Sequence, residues 1–288
     1  MENFKIITDS CCDLTPTLVE ELDLDVVELS VLINDKVYVN YLDEREISFK
    51  DYYELLRNGS LGKTSAPNVF DFTNAMEPYL KEGRDVLYLG FSSGLSATYN
   101  SSVIAVEELQ EKYPERKIIT IDTLCASMGQ GLIVYLAAKK KAEGASIEEV
   151  AEYVENIKLN IAHWFTVDDL NHLKRGGRVS AVAATFGTIL NIKPVLHVDN
   201  EGRLVPVEKV RGRKASINGL LKVIKETITD KSVAFISHGD CYDEAKYLAD
   251  KITEEVGVED IKINFIGPVI GTHSGPGTIA LFFVGTER

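Results

Sequence analysis

Three short segments concentrate groups able to hold an anion or attack a carbonyl. They are Lys63-Thr64-Ser65-Ala66-Pro67, Gly90 to Thr98 (GFSSGLSAT) and Gly267 to Thr278 (GPVIGTHSGPGT). In the second, Ser92, Ser93, Ser96 and Thr98 crowd hydroxyls into seven residues, more than one helix cap requires. That loop follows a nearly continuous apolar run, VLYLGF, and precedes a helical pattern. It therefore sits at the carboxyl end of a buried strand, where open α/β sheets bind ligands. Free amides and the positive end of a helix dipole favour an anion there, and glycine lets backbone approach it closely. Neither hydroxyl loop contains Arg, so the anion would be held by hydroxyls, amides and helix ends, an arrangement suited to a carboxylate with an apolar body. His273, set among Gly and Pro turns, is expected in a loop rather than on a helix face, where it can hydrogen-bond an acid headgroup. A plainer role for Thr64 or Ser65 is a helix cap, with Pro67 at the first helical position.

Two other chemistries compete for the same residues. Gly90-Phe91-Ser92-Ser93-Gly94 fits the G-x-S-x-G nucleophile elbow of a serine hydrolase, with His273 as base and Asp240 or Asp243 as acid. No HGGG-type oxyanion segment precedes it. A regulatory interaction protein, for which any lipid is incidental, is the other reading. No G-x-x-x-x-G-K-[ST] occurs and no G-x-G-x-x-G follows a strand, so ATP and dinucleotides have no recognisable cradle. The five histidines are scattered without metal-ligand spacing, and neither metal nor cofactor is expected.

The elements that must position these loops alternate in type. Strands are expected at 4–8, 25–33, 86–91 and 118–121, with a return at 36–39. Helices are expected after Pro16 and at 48–57, 68–80, 97–112 and 126–143. Ser146 and Glu149 form a capping-box pattern for a helix to about 160. Beyond 160 come strands at 162–167, 193–198, 203–210, 232–237, 261–266 and 279–284, and helices at 179–190, 214–227 and 242–255. This predicts an α/β protein of two domains: residues 1–160 with a parallel sheet between helical layers, and 161–288 with a mixed sheet.

Composition narrows the partners. The 288 residues carry a formal charge of −13, with 45% hydrophobic and 26% charged residues. So acidic a chain is a poor nucleic-acid binder. No apolar run approaches the length of a membrane span, and MENFKIITDS lacks a basic stretch followed by an apolar one; a cytoplasmic location is expected. Cys11, Cys12, Cys125 and Cys241 match neither a zinc site nor a disulfide framework. Two basic clusters stand out against the acidic background, Lys174-Arg175-Gly176-Gly177-Arg178 and Arg211-Gly212-Arg213-Lys214. Each is a solvated turn or a docking point for an acidic partner.

Five segments in order, IITDSCCDL (6–14), KTSAP (63–67), GFSSGLSAT (90–98), LKRGGRVS (173–180) and GPVIGTHSGPGT (267–278), resemble the DegV family over almost the whole chain. Cys11-Cys12 and Ala97 depart from the family's usual residues. The resemblance implies a three-layer α/β/α N-terminal domain, a two-layer C-terminal domain with a mixed sheet, and a long-chain fatty acid, about C16–C18, in a tunnel between or beneath them. It implies carboxylate ligands at Thr64 and Ser96, with His273 close by; Ser65, Ser93 and Gly94 complete the expected carboxylate group. It further implies a non-enzymatic, bacterial acyl-binding subunit that presents the acid to a separate ATP-binding fatty acid kinase subunit, docked through Lys174, Arg175, Arg178, Arg211 or Arg213.

Overall fold

The computed structural model describes residues 4–179 and 191–288. The helix expected at 179–190 lies outside them apart from Val179. Strands are β1 (Phe4–Asp9), β2 (Leu24–Val27), β3 (Ser30–Ile33), β4 (Lys36–Val39), β5 (Lys63–Ser65), β6 (Asp85–Gly90), β7 (Ile118–Asp122), β8 (Ile161–Thr166), β9 (Ile192–Val198), β10 (Leu204–Arg211), β11 (Val233–His238), β12 (Asp260–Phe265) and β13 (Ile279–Val284). Helices are α1 (Pro16–Glu21), α2 (Phe49–Arg57), α3 (Val69–Lys81), α4 (Thr98–Lys112), α5 (Met128–Ala142), α6 (Ile147–Ile157), α7 (Asn171–Arg175), α8 (Arg213–Thr227), α9 (Tyr242–Val256) and α10 (Pro268–Ser274).

The first sheet has the order β2-β1-β6-β7 and is parallel throughout. Its central strand β1 is buried along its whole length, as a strand covered on both faces must be. The second sheet, β10-β9-β8-β13-β11-β12, is mixed: β13 runs antiparallel to both its neighbours, while β11 and β12 are parallel. The expected hairpin is β9–β10, with an irregularity between Pro206 and Glu208. The capping box of α6 is formed by Ser146 and Glu149 as expected.

Three expectations change. The run 25–33 is two strands, because the Ser10 hydroxyl accepts from the Leu29 amide at 3.0 Å and draws the chain out of the parallel sheet. After that break β3 joins β4 and β5 in a small antiparallel sheet. The segment KTSAP is accordingly no helix entry: Asn68 caps α3 in a capping box with Asp71, one residue after Pro67. Finally, 267–278 is not all loop, since Pro268 opens α10 and His273 lies in its last turn. Proline at the first helical position gives up an amide that has no helical partner anyway.

Helix α5 links the sheets, packing on β6 of the first and on β8, β11 and β13 of the second. Ten of its fifteen residues are buried, so it is apolar nearly all round, as an interior helix should be. Gly129 and Gly131 permit this fit. A Cβ on Gly129 would lie 2.1 Å from His163 Nε2, and one on Gly131 would lie 2.7 Å from the Cys12 carbonyl oxygen.

Candidate functional site

Strand β5 pairs with β3, Val31 opposite Thr64. This points the Thr64 hydroxyl at α10, where it sits 2.9 Å from His273 Nε2. Side chains alternate along a strand, so Ser65 faces away and is exposed, beside a separate depression with Glu28 and Asn74. The His273 ring rests against Gly176: a Cβ there would lie 2.1 Å from His273 Nδ1. Glycine at 176 is thus a seat for the imidazole. Burial, with the positive charge of Arg178 adding to it, lowers the His273 pKa to about 4. The ring is neutral at physiological pH and holds one acceptor and one donor.

The loop after β6 divides its hydroxyls between two tasks. Ser92 is fully buried; its Oγ donates to the Gly202 carbonyl at 2.8 Å and accepts from the Gly94 amide at 3.2 Å. It pins the loop to the β9–β10 turn, while His273 is bonded to Thr64. Ser93 and Gly94 are exposed, the Ser93 amide donating to Asp122 and Gly94 lying against the Glu201–Gly202 backbone. Ser96 is half-buried. Its Oγ lies 2.8 Å from Thr98 Oγ1 and accepts from the Thr98 amide at 3.3 Å, at the start of α4.

Thr64, Ser96 and His273 all line a cavity with about 1070 Å³ of empty space, part of it open to solvent. Its body is apolar, walled by Phe91, Phe165, Val198, Leu204, Ala280 and Phe282. Of the six residues expected around the carboxylate, Ser65, Ser93 and Gly94 do not line it. One residue assigned to partner docking does: Arg178 turns inward, its Nε donating to the Leu95 carbonyl at 3.2 Å and its Nη1 to the Gly176 carbonyl. Burial lowers its pKa, but a guanidinium stays charged. The cavity wall thus adds a guanidinium to the hydroxyls, amides and helix ends expected to be the main holders of the anion. The signal was the second arginine of LKRGGRVS, which is distant in sequence from the hydroxyl loops.

The remaining basic residues separate. Lys174 and Arg175 are exposed, with Arg175 Nη2 3.1 Å from His172 Nδ1. Arg175 lines a surface depression with Lys63 and His172, and that depression shares Thr64, Arg178 and His273 with the cavity. The polar end of the cavity thus looks outward onto a basic surface. Arg213 is committed elsewhere, bridging Glu244 at 2.7 Å and Asp168 at 3.7 Å, while Arg211 is exposed. Cys11 and Cys12 are fully buried, and burial raises both thiol pKa values well above the ordinary one. This is the reverse of what a reactive thiolate needs. Among the described residues no group of three or more His, Cys, Asp or Glu is placed to hold a metal, and no helix is long and apolar enough to cross a membrane.

An apolar cavity with a hydroxyl–imidazole–guanidinium end suits an amphiphile with one anionic head. The family model described as "Uncharacterised protein, DegV family" matches residues 3–286. A DegV domain-containing protein of Clostridium perfringens, CPE0026, is 46% identical, covering 100% of this chain and 99% of its own. The crystal structure of a DegV lipid-binding protein of Thermotoga maritima, TM1468, superposes with a TM-score of 0.86 at 32% identity, over 100% of both chains. A DegV family protein of Thermus thermophilus, described by its fatty acid binding, gives a TM-score of 0.86 at 31% identity over 97% of this chain and 98% of that one. From the five sequence segments, the sheet architecture and these full-length matches, the chain belongs to the DegV family.

Proposed function

We propose that this protein binds one long-chain fatty acid, about C16–C18, in the apolar cavity and presents its carboxylate to a separate ATP-binding fatty acid kinase subunit. The observation that carries this reading is the position of Thr64, His273 and Arg178 at the boundary between the apolar cavity and the basic depression, with Ser96 on the cavity wall. The tail supplies the affinity, since each buried methylene is worth about 0.8 kcal/mol. The head cluster supplies orientation. A carboxylate offers two acceptor oxygens; the Thr64 and Ser96 hydroxyls donate to them, and Arg178 balances the charge that would otherwise be costly to bury. Neutral His273 fixes the Thr64 hydroxyl from behind. Held this way, one carboxylate oxygen faces the outer depression, from which it can take the γ-phosphoryl group of ATP bound on the partner. Arg175, Lys174 and Lys63 give an acidic partner a docking edge, with Arg211 on a separate surface. The acid lies between units at 1–160 and 161–288, in a cytoplasmic bacterial protein that carries out no chemistry alone.

Native mass spectrometry of the purified protein, followed by lipid identification, tests the first half. A mass excess of one fatty acid per chain is expected; an apo mass that no added acid shifts would overturn it. For the second half, the loaded protein is mixed with an ATP-binding kinase subunit and acyl phosphate is measured. Product is expected with the intact chain and strongly reduced product with Arg175→Glu, whose acid binding is unchanged. Equal product from both would sink the docking assignment. Labelling of Ser92 by a fluorophosphonate would restore the hydrolase reading.

A further inference from the structure

Among the described residues, the hydroxyls on the cavity wall other than that of Ser274 each have a hydrogen-bond partner. Thr64 is bonded to His273, Ser96 to Thr98, and Thr278 to the carbonyls of Ser274 and Gly275. Ser127 donates to Asp13 and lies 2.9 Å from Ser237 Oγ. Ser274 differs. It lines the same cavity, is only 5% exposed, and among the described residues its Oγ has no hydrogen-bond partner. Its position is held, because its carbonyl accepts from Thr278 Oγ1 at 3.0 Å and the backbone turns at Gly275 with φ 81°.

A buried hydroxyl left without a partner is destabilising, and native proteins keep few of them. An apolar acyl chain passing Ser274 would leave that cost in place. An oxygen on the chain would remove it, since a serine hydroxyl both donates and accepts. The location limits where that oxygen can be. Ser274 directly follows His273, so their Cα atoms are about 3.8 Å apart, and His273 belongs to the head cluster. An oxygen that reaches Ser274 must therefore sit on the first carbons beyond the carboxyl group.

Resting on the fatty acid reading above, we propose that the cavity has a hydroxyl-recognition point at Ser274 and takes long-chain acids carrying a hydroxyl on carbon 2 or carbon 3. Ser274 Oγ exchanges a hydrogen bond with that substituent while the carboxylate remains at Thr64, Ser96 and Arg178. No bond is made or broken. Ser274 is a specificity residue, and the plain acid binds without its help.

The test uses the delipidated full chain and three probes: hexadecanoic, 2-hydroxyhexadecanoic and 3-hydroxyhexadecanoic acid. Dissociation constants are measured for the wild type and for Ser274→Ala. The wild type is expected to bind one hydroxy acid at least as tightly as the plain acid. Ser274→Ala should weaken that hydroxy acid by roughly tenfold, the effect of about one hydrogen bond, and leave hexadecanoic acid within about twofold. Retained binding of the plain acid also shows that the variant folds. Rejection of both hydroxy acids by the wild type would overturn the proposal. So would an equal loss for plain and hydroxy acids in Ser274→Ala, which would make Ser274 a carboxylate contact. Both results leave the fatty acid reading standing. Failure of every acid to bind the wild type would remove that reading and this proposal together.

Discussion

Two places in this molecule gather hydroxyls around a titratable group, and they are built to opposite ends. At the cavity mouth, Thr64, Ser96, His273 and Arg178 are half-buried and keep hydrogen-bonding capacity turned toward open space. At the junction of the two larger sheets, Asp13 is fully buried and its oxygens are used up. Oδ1 accepts from the Gly267 amide at 3.0 Å and Oδ2 from Ser127 Oγ at 2.5 Å, while its backbone carbonyl accepts from Asn264 at 2.8 Å. The knot ties the loop after β1 to α5 and to the end of β12, which are distant in sequence. Ser127 adopts φ 52° and ψ −146° to reach it, a region that non-glycine residues enter only when their surroundings demand it. The same side chains hold the fold where each is turned onto a buried partner, and can hold a ligand where they face open space.

That contrast can be broken by substitution. Asp13→Ala strands two buried donors, and its expected cost is about 3 kcal/mol of folding stability, read by denaturant unfolding of the delipidated protein. Acid affinity of the folded chain should not change. A loss below about 1 kcal/mol would deny the knot its structural role. Arg178→Gln should do the reverse: a roughly 10- to 100-fold loss of affinity, as for a charge-assisted hydrogen bond, with little change in unfolding midpoint. An unchanged affinity would return Arg178 to the surface cluster in which the sequence places it.

Smaller effects sharpen the comparison within one loop. Ser96→Ala should weaken acid binding about five- to tenfold and cost less than about 1 kcal/mol of stability. Ser92→Ala, four residues away, should cost about 1 kcal/mol of stability and leave affinity unchanged. Calorimetric titration and thermal melting of the two variants would show this crossing, and parallel behaviour would refute it. A separate effect is on pH. Burial raises the Asp13 pKa to about 7 from 3.8, against the lowering effect of its Ser127 and Gly267 hydrogen bonds. A carboxyl that keeps its proton more tightly when folded stabilises the fold at low pH. Its contribution is complete below about pH 4 and is lost as pH rises to about 7. Melts of Asp13→Asn should lack that decline; an identical pH profile would mean that Asp13 does not carry it.

The helices and strands were legible because their cues are local. The capping box at Ser146 and Glu149, the apolar run at 86–91 and the hairpin through Asp199 to Gly202 each read correctly. Errors arose where a distant group intervened. The strand at 25–33 looks continuous until the Ser10 hydroxyl, 19 residues earlier, takes the Leu29 amide. At 267–278 the glycines suggested loop, and Pro268 opened a helix instead.

Residue type and order alone specified an α/β chain with hydroxyl loops at strand ends, an acidic surface and a DegV pattern across 6–278. Those are properties of neighbours in sequence, set by hydrophobic period, caps and turn chemistry. Which hydroxyls face the cavity was decided only by tertiary packing. Ser92 and Ser96 share one loop and one chemistry. The turn at Gly202 approaches closely enough to accept a hydrogen bond from Ser92, whereas Ser96 meets Thr98, two residues on. Arg178 likewise reads as surface charge until Gly176 and Leu95 offer it carbonyls at the mouth. A hydrogen bond between residues far apart in sequence depends on where the sheets bring the backbone, and no local pattern encodes that distance.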